Sequence, residues 1–298
     1  MILAPAQRYT DDTAMTKTVA KALLNYDNNY QKELAVNFVK EYFKEPKRGY
    51  GSGVIEVFHK LRAHKFEELL IPAKEQFNGK GSFGNGAAMR VSPVALFCYN
   101  KSQKVLEDLV VKTSSVTHSN IIGTNGAILQ ALAIQQNLSL DCSAPLDVNK
   151  YMSDLLEKLS SIEPEEDEFG IKDIRPYTIQ LTEMGKLLNK EFQPSIEEVV
   201  NLLGHSVNAL YSVPTAIYCF LRNSETKSND NLTPFRRTLE YSISLGGDTD
   251  TIASMALALS GAYYGDSVIP ENLIKHCEGS DEVLSLADQL FIVASNEK

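Results

Sequence analysis

Apolar residues recur at intervals of three and four along most of this chain, and no stretch alternates as a half-buried strand must. The helical period runs through residues 15–24, 34–43, 54–61, 105–116, 121–134, 152–159 and 179–188. It continues through 199–210, 216–221, 238–243, 251–264 and 283–293. Such a pattern can bury its apolar stripes only by packing helix on helix, so the expected fold class is all-α. With 298 residues and 43% hydrophobic content there is enough material for one substantial core, and residues 1–298 are expected to form a single domain.

Start signals agree with the period. Asp147 precedes the run entered at Met152, Ser195 precedes Glu197-Glu198, and Pro270 opens the segment through Leu273. Pro214, ahead of Thr215-Ala216-Ile217, reads as a further helix start. The acidic run at 163–168 and the polar stretch at 223–231 read as solvated surface loops. Helical patterning resumes directly after each, so neither is a domain linker, and no internal repeat is visible.

Charge and cysteine content narrow the function classes. A net charge of −9 disfavours duplex nucleic acid, which needs a basic surface to displace counterions. A small anion held by backbone amides and metal remains compatible. Cys98, Cys142, Cys219 and Cys277 are far apart and form no CxxC pair, which fits reduced thiols. The most apolar run, residues 252–264, is too short to span a bilayer.

Two Asp/Thr clusters stand out: Thr10-Asp11-Asp12-Thr13 and Gly246-Gly247-Asp248-Thr249-Asp250-Thr251. Each lies at the start of a helical run. Plain helix capping explains either cluster alone, with Thr10 or Asp11 capping one helix and Asp248 or Asp250 the other. If the fold joins them, four carboxylates and several hydroxyls make an all-oxygen cage suited to hard divalent cations such as Mg²⁺. Carboxylates that close need a counter-ion to stay ionised.

Between the clusters lies Phe77-Asn78-Gly79-Lys80-Gly81-Ser82-Phe83-Gly84-Asn85-Gly86. Its glycines allow positive φ, and successive N–H groups in such a loop can cradle phosphate or pyrophosphate. The GxGxxG match within it carries no dinucleotide-fold meaning, because no strand precedes it. Lys80 is followed by Gly81, so it is not a Walker A loop either. Phe77 and Phe83 offer faces for a nucleobase, or anchor the turn to the core. His118, in Thr117-His118-Ser119-Asn120, could reach a ribose or phosphate or serve as a structural hydrogen-bonder. The other histidines, His59, His64, His205 and His276, have no metal-ligand spacing and are assigned to surface or packing.

Taken in order, Tyr9-Thr10-Asp11-Asp12-Thr13-Ala14-Met15, the loop 77–86, Thr117-His118-Ser119, Val213-Pro214-Thr215-Ala216-Ile217 and Ser244-Leu245-Gly246-Gly247-Asp248-Thr249-Asp250-Thr251 resemble the ADP-ribosylglycohydrolase family over essentially the whole chain. Within the family the likeness is to the branch acting on serine-linked ADP-ribose, poly(ADP-ribose) and O-acetyl-ADP-ribose. The resemblance implies a compact orthogonal helical bundle around a two-metal site holding two Mg²⁺ ions. It implies metal ligands at Thr10, Asp11, Asp12, Asp248, Asp250 and Thr251, with the pyrophosphate against Gly81, Ser82, Gly84 and Asn85. Adenine would stack near Phe77 and Phe83, and His118 would reach the phosphate–ribose portion. Phe83 stands where the related chains carry Tyr, keeping the ring face without the hydroxyl.

Family members also begin with a helix bearing a Gly-Asp-x-x-Gly pattern, followed by a segment with a gating Glu. Residues 1–8 contain neither, so the domain is expected to be N-terminally shortened relative to the family. With that Glu missing, Asp11, Asp12 and Asp248 are the candidates for general-base help. The expected activity is Mg²⁺-dependent hydrolysis of the glycosidic bond of ADP-ribose conjugates. The alternatives are an ADP-ribose-binding protein without turnover and a crystallin-like structural member. Expected partners are ADP-ribose, ADP-ribosylated proteins and poly(ADP-ribose), with no duplex nucleic acid, no membrane and a monomeric chain. The expected compartments are cytoplasm, nucleus and mitochondrial matrix.

Overall fold

A computed structural model describes residues 7–165, 174–224 and 232–296. Among the described residues sixteen α-helices follow one another: α1 (Asp11–Leu23), α2 (Tyr30–Lys44), α3 (Ser52–Ala63), α4 (Ile71–Gly79), α5 (Gly86–Met89), α6 (Ser92–Phe97), α7 (Gln103–Ser114) and α8 (Ile121–Leu138). Then come α9 (Val148–Leu159), α10 (Pro176–Leu188), α11 (Ile196–Leu203), α12 (Ala209–Asn223), α13 (Pro234–Ser244), α14 (Thr249–Tyr264), α15 (Glu271–His276) and α16 (Ser280–Asn296). Among the described residues extended pairing is limited to two isolated bridges, Gln7 with Cys277 and Gly84 with Asn208. The all-α expectation is met.

Helix α8 forms the axis of the molecule. Its sequence is apolar on every side, so it has no face to give to water, and most of it is buried. It packs against α5, α6, α7, α9, α12 and α14. Its few polar side chains are spent on neighbouring carbonyls. Gln130 donates to the Met255 carbonyl at 3.0 Å and Asn137 to the Leu259 carbonyl at 2.9 Å. These bonds pin the register of α14 along α8, and so fix where the first turn of α14 comes out.

Several local expectations are corrected. The run 199–210 is interrupted: α11 ends at Leu203, and Gly204 takes φ +81°. The next helix starts only after Asn208, whose side chain accepts from the Leu210 N–H. The apolar period continued across this break because Val207 is apolar, yet Val207 is exposed. Pro214 is not a helix start but lies inside α12. Its ring leaves the Leu210 carbonyl without the usual amide partner. One turn on, the Thr215 hydroxyl sits 2.7 Å from the Tyr211 carbonyl and 2.8 Å from the Gly204 carbonyl. The run 163–168 is not wholly a solvated loop. Glu163 is buried, and its carboxylate accepts from the Tyr177 N–H at 3.0 Å and the Thr178 N–H at 2.8 Å, closing the start of α10. Residues 166–168 of that run, 225–231 of the other expected loop and 1–6 at the start lie outside the described residues. The period also missed α4, α5 and α6, which are too short to display it.

Candidate active site

The two acidic clusters meet. Thr251, in the first turn of α14, brings its hydroxyl to 3.5 Å from Asp12 Oδ2, in the first turn of α1. On the other side, the Thr10 hydroxyl donates to the same oxygen at 3.0 Å. Both helices therefore point their N-termini, the positive ends of their dipoles, into one space.

Neither cluster caps its helix by side chain. Thr10 and Asp248 occupy the N-cap positions of α1 and α14, and neither makes a side-chain cap hydrogen bond. Elsewhere the fold does use such caps. Ser102, Asn120, Asp147, Ser195, Asn208 and Thr233 all accept from a first-turn N–H. The carboxylates at the meeting point are thus left for other partners.

The glycine loop joins the second cluster directly. Asn85 Nδ2 donates to Asp248 Oδ2 at 2.6 Å and lies 3.0 Å from the Ser212 hydroxyl on α12. The turn before Asp248 needs its glycines. Gly247 has φ +67°, and a Cβ there would come within 2.1 Å of the His205 carbonyl. That carbonyl accepts the Asp248 N–H at 2.9 Å, while the His205 ring bonds the Leu245 carbonyl at 2.8 Å. His205 is a packing residue that shapes the acidic turn.

The loop itself is clamped from both sides. The Asn120 side chain donates to the Lys80 carbonyl at 2.8 Å, and the Ala209 N–H donates to the Phe83 carbonyl at 3.0 Å. Gly81, at φ +70°, lies so close to residues 119–120 that a Cβ would meet Ser119 Oγ at 2.2 Å. Phe77 and Asn78 take left-handed conformations, φ +52° and +58°, which end the regular part of α4 and throw the chain into the loop.

Not every loop amide is open to an anion. The N–H of Gly81 goes to the Gln76 carbonyl, that of Gly84 to Ser82 Oγ, and that of Asn85 to the Val207 carbonyl. Among the described residues the N–H groups of Ser82 and Phe83 have no such partner. Phe77 and Phe83 are half exposed, with ring centroids 5.1 Å apart and planes tilted by 39°. They touch each other and leave no slot between them, so a base would lie on the outside of the pair.

His118 sits beneath the loop, buried, with Nδ1 2.7 Å from Thr117 Oγ1. Burial, and then the charge of Arg90, push its imidazole down to about 3, so it is neutral across the physiological range.

At the acidic end the carboxylates are pushed toward their neutral forms. Burial first, then the neighbouring aspartates, raise Asp12 to about 7. Asp11 is raised to about 6 by burial and by Asp250 and Asp248, against a bond to its own backbone N–H. Asp248 is raised by burial, against the bond from Asn85. Asp12 Oδ1 is buried without a hydrogen-bond partner. No Lys, Arg or His among the described residues pairs with any of the four aspartates. A cation would complement these carboxylates, and an oxygen-only donor set suits a hard divalent ion. Among the described residues no three His, Cys, Asp or Glu side chains form a ready-made cage. The donors fit an ion that keeps several waters and takes hydroxyl oxygens too, as Mg²⁺ does.

Two contributors, Arg48 and Arg90, and one contact of a third residue lay beyond sequence reasoning. Asn85 was expected against pyrophosphate, but its bond to Asp248 could not be foreseen. Arg48 braces the approach to α1: Nη1 donates to the Tyr9 carbonyl at 2.8 Å, the guanidinium stacks on the Tyr9 ring and is gripped by Glu278, and its own carbonyl accepts the Asp11 N–H. Arg90 is buried behind the loop. No sequence signal marks these arginines apart from surface cations.

A model of the ADP-ribosylglycohydrolase family matches residues 2–298. The chain is 44% identical to the ADP-ribosylhydrolase ARH3 of Mus musculus over 293 residues, covering 96% of this chain and 77% of that protein. It is 43% identical to the ADP-ribosylhydrolase ARH3 of Homo sapiens over 295 residues, covering 96% and 78%. In fold it is similar to a solved ADP-ribosylglycohydrolase-related protein complex, with TM-score 0.65, 20% identity, and 96% and 81% of the two chains covered.

Proposed function

The chain belongs to the ADP-ribosylglycohydrolase family, and from that premise we propose that it is a divalent-cation-dependent hydrolase of ADP-ribose conjugates. The observation that carries the reading is the single joined apparatus. Thr251 reaches Asp12 across 239 residues, and Asn85 ties the glycine loop to Asp248. A ligand lying along the loop is thereby led to the acidic end.

Thr10, Asp11, Asp12, Asp248, Asp250 and Thr251 would hold the cations, with two Mg²⁺ ions as the reading the resemblance favours. Bound there, they would supply charge stabilisation and lower the pKa of a water. The N–H groups of Ser82 and Phe83, without a protein partner among the described residues, would take the pyrophosphate, and the outer face of the Phe77–Phe83 pair would take the adenine. His118 contributes a neutral ring nitrogen to the phosphate–ribose portion. The scissile C1″–O bond then lies toward the two helix N-termini. Asp11, Asp12 and Asp248 are the nearest carboxylates able to take a proton from a water attacking C1″, through an oxocarbenium-like transition state. Asn85 keeps Asp248 in place for that role.

The substrates we assign are serine-linked ADP-ribose, poly(ADP-ribose) and O-acetyl-ADP-ribose, met as a monomer in cytoplasm, nucleus and mitochondrial matrix. The test is release of ADP-ribose from a serine-ADP-ribosylated peptide, with Mg²⁺ or with chelator. Asp248→Ala should lower the rate roughly a thousandfold or more, as loss of a metal ligand costs several kcal/mol of transition-state stabilisation. Unchanged turnover in that variant, or full activity in chelator, would sink the assignment. Calorimetric binding of ADP-ribose without any release would identify a binding protein instead.

A further inference from the structure

One buried cation takes no part in that chemistry. Arg90 is 1% exposed and follows α5 directly. Among the described residues no carboxylate pairs with it. Its guanidinium lies over the Phe38 ring at 4.6 Å, Nη1 donates to the Gly86 carbonyl at 3.1 Å, and Nη2 donates to Thr117 Oγ1 at 2.7 Å. Nε is buried without a partner. Burial lowers Arg90 only to about 10, so it stays charged at neutral pH. Burying an unpaired guanidinium is costly, and an unbranched apolar side chain would cover Phe38 without that cost.

Donor counting gives the bonds their direction. A guanidinium only donates, so Thr117 Oγ1 accepts from Arg90. The hydroxyl's own proton then has one acceptor in reach among the described residues, His118 Nδ1 at 2.7 Å. Nδ1 is therefore bare, and the ring proton is on Nε2. Nε2 faces the loop: a Cβ at Gly84 or Gly86 would stand 3.8 or 3.4 Å from it. Among the described residues no protein group bonds Nε2.

We propose that Arg90 and Thr117 form a positioning relay that holds His118 in the Nε2–H tautomer, as a neutral donor to an anionic oxygen of a pyrophosphate nucleotide lying along residues 81–86. The identity of the ligand rests on the function proposed above; the tautomer does not. Arg90 suits this role because it cannot accept a hydrogen bond, so the hydroxyl cannot reverse its direction while Arg90 is in place. Its second arm, on the Gly86 carbonyl, keeps the end of the loop in register with the histidine.

Long-range ¹H–¹⁵N NMR of the labelled, ligand-free chain reads the tautomer directly, with the His118 signals assigned by their loss in His118→Gln. The wild type should show Nε2–H. Thr117→Val should give a mixed or reversed tautomer and raise KM for an ADP-ribosylated peptide about tenfold with kcat nearly unchanged, the loss of one oriented hydrogen bond. Thr117→Ser should restore both. A wild-type Nδ1–H tautomer overturns the relay, as does a Thr117→Val protein with tautomer and KM unmoved. If Thr117→Val does not fold, the wild-type spectrum alone decides. A wild type with the Nε2–H tautomer that binds no ADP-ribose supports the relay and overturns the ligand.

Discussion

The acidic helix starts and the glycine loop lie side by side and are built on opposite principles. The loop is held mostly by neutral hydrogen bonds: Gly81, Gly84 and Asn85 have their amides satisfied, and Asn120 and Ala209 clamp its carbonyls. The acidic end is held by packing against its own electrostatics. Asp11 and Asp12 are raised by burial and by neighbouring aspartates, and Asp12 Oδ1 has no hydrogen-bond partner. The loop's backbone is largely satisfied within the chain, whereas the proposed complement of the acidic end is a cation. Metal and pH should therefore act first on the acidic end, whereas substitutions at Phe77 or Phe83, which make no bond to the aspartates, should alter ligand affinity without altering the metal response.

The largest effect should come from Mg²⁺ itself. Asp11 and Asp12 keep their protons up to about 6 and about 7 in the metal-free fold. Unfolded, they lose them near 3.8, so between these values the folded state binds more protons. The stability they contribute is full at acid pH and is lost as pH rises through about 6 and 7. Mg²⁺ at a hundredfold excess over its Kd should add about 2.7 kcal/mol, a rise of roughly 5 °C in Tm. That rise should be larger at pH 8 than at pH 5.5, where protons compete for the same oxygens. Asp12→Asn should remove most of the metal response and raise the metal-free Tm at pH 8. Equal Mg²⁺ shifts at both pH values would break the contrast between the two regions.

A smaller effect belongs to the loop. Phe83→Ala should cost about 1–2 kcal/mol of base stacking, seen as a KM raised about tenfold. The Mg²⁺-induced Tm shift should not move. A changed metal response in this variant would show that the loop and the acidic end are not separable.

The smallest effect separates capping from metal binding. Asp147 is an acid that does cap its helix, accepting from the Lys150 N–H at 2.9 Å. Asp147→Ala should lower stability by about 1 kcal/mol, with turnover and metal response intact. Asp248→Ala should do the reverse, with little loss of metal-free stability and a rate lowered roughly a thousandfold or more. If both behave as cap losses, the acidic starts are ordinary helix ends.

The sequence carried the fold class and nearly all long helices, because an apolar period is a local property that each helix keeps wherever it docks. It also carried the residue types of the proposed site, since a divalent cation and a pyrophosphate would each demand particular atoms. It did not carry the interruption at residues 204–208. There Val207 continued the apolar pattern while lying exposed, and its carbonyl was needed to receive the Asn85 N–H. Nor could it show Pro214 inside a helix, or Glu163 buried over the start of α10, where a side chain from outside the helix satisfies the first-turn amides.

What the chain determined by itself, then, is an all-α molecule with two acidic helix starts and a glycine loop. That these meet was decided by tertiary packing. Gln130 and Asn137 set α14 on α8, the Arg48 brace sets α1, and Asn85 ties the loop to Asp248. Each contact joins residues far apart in the chain. Residue types state which bonds are available, and only the packed helices state which groups come close enough to make them.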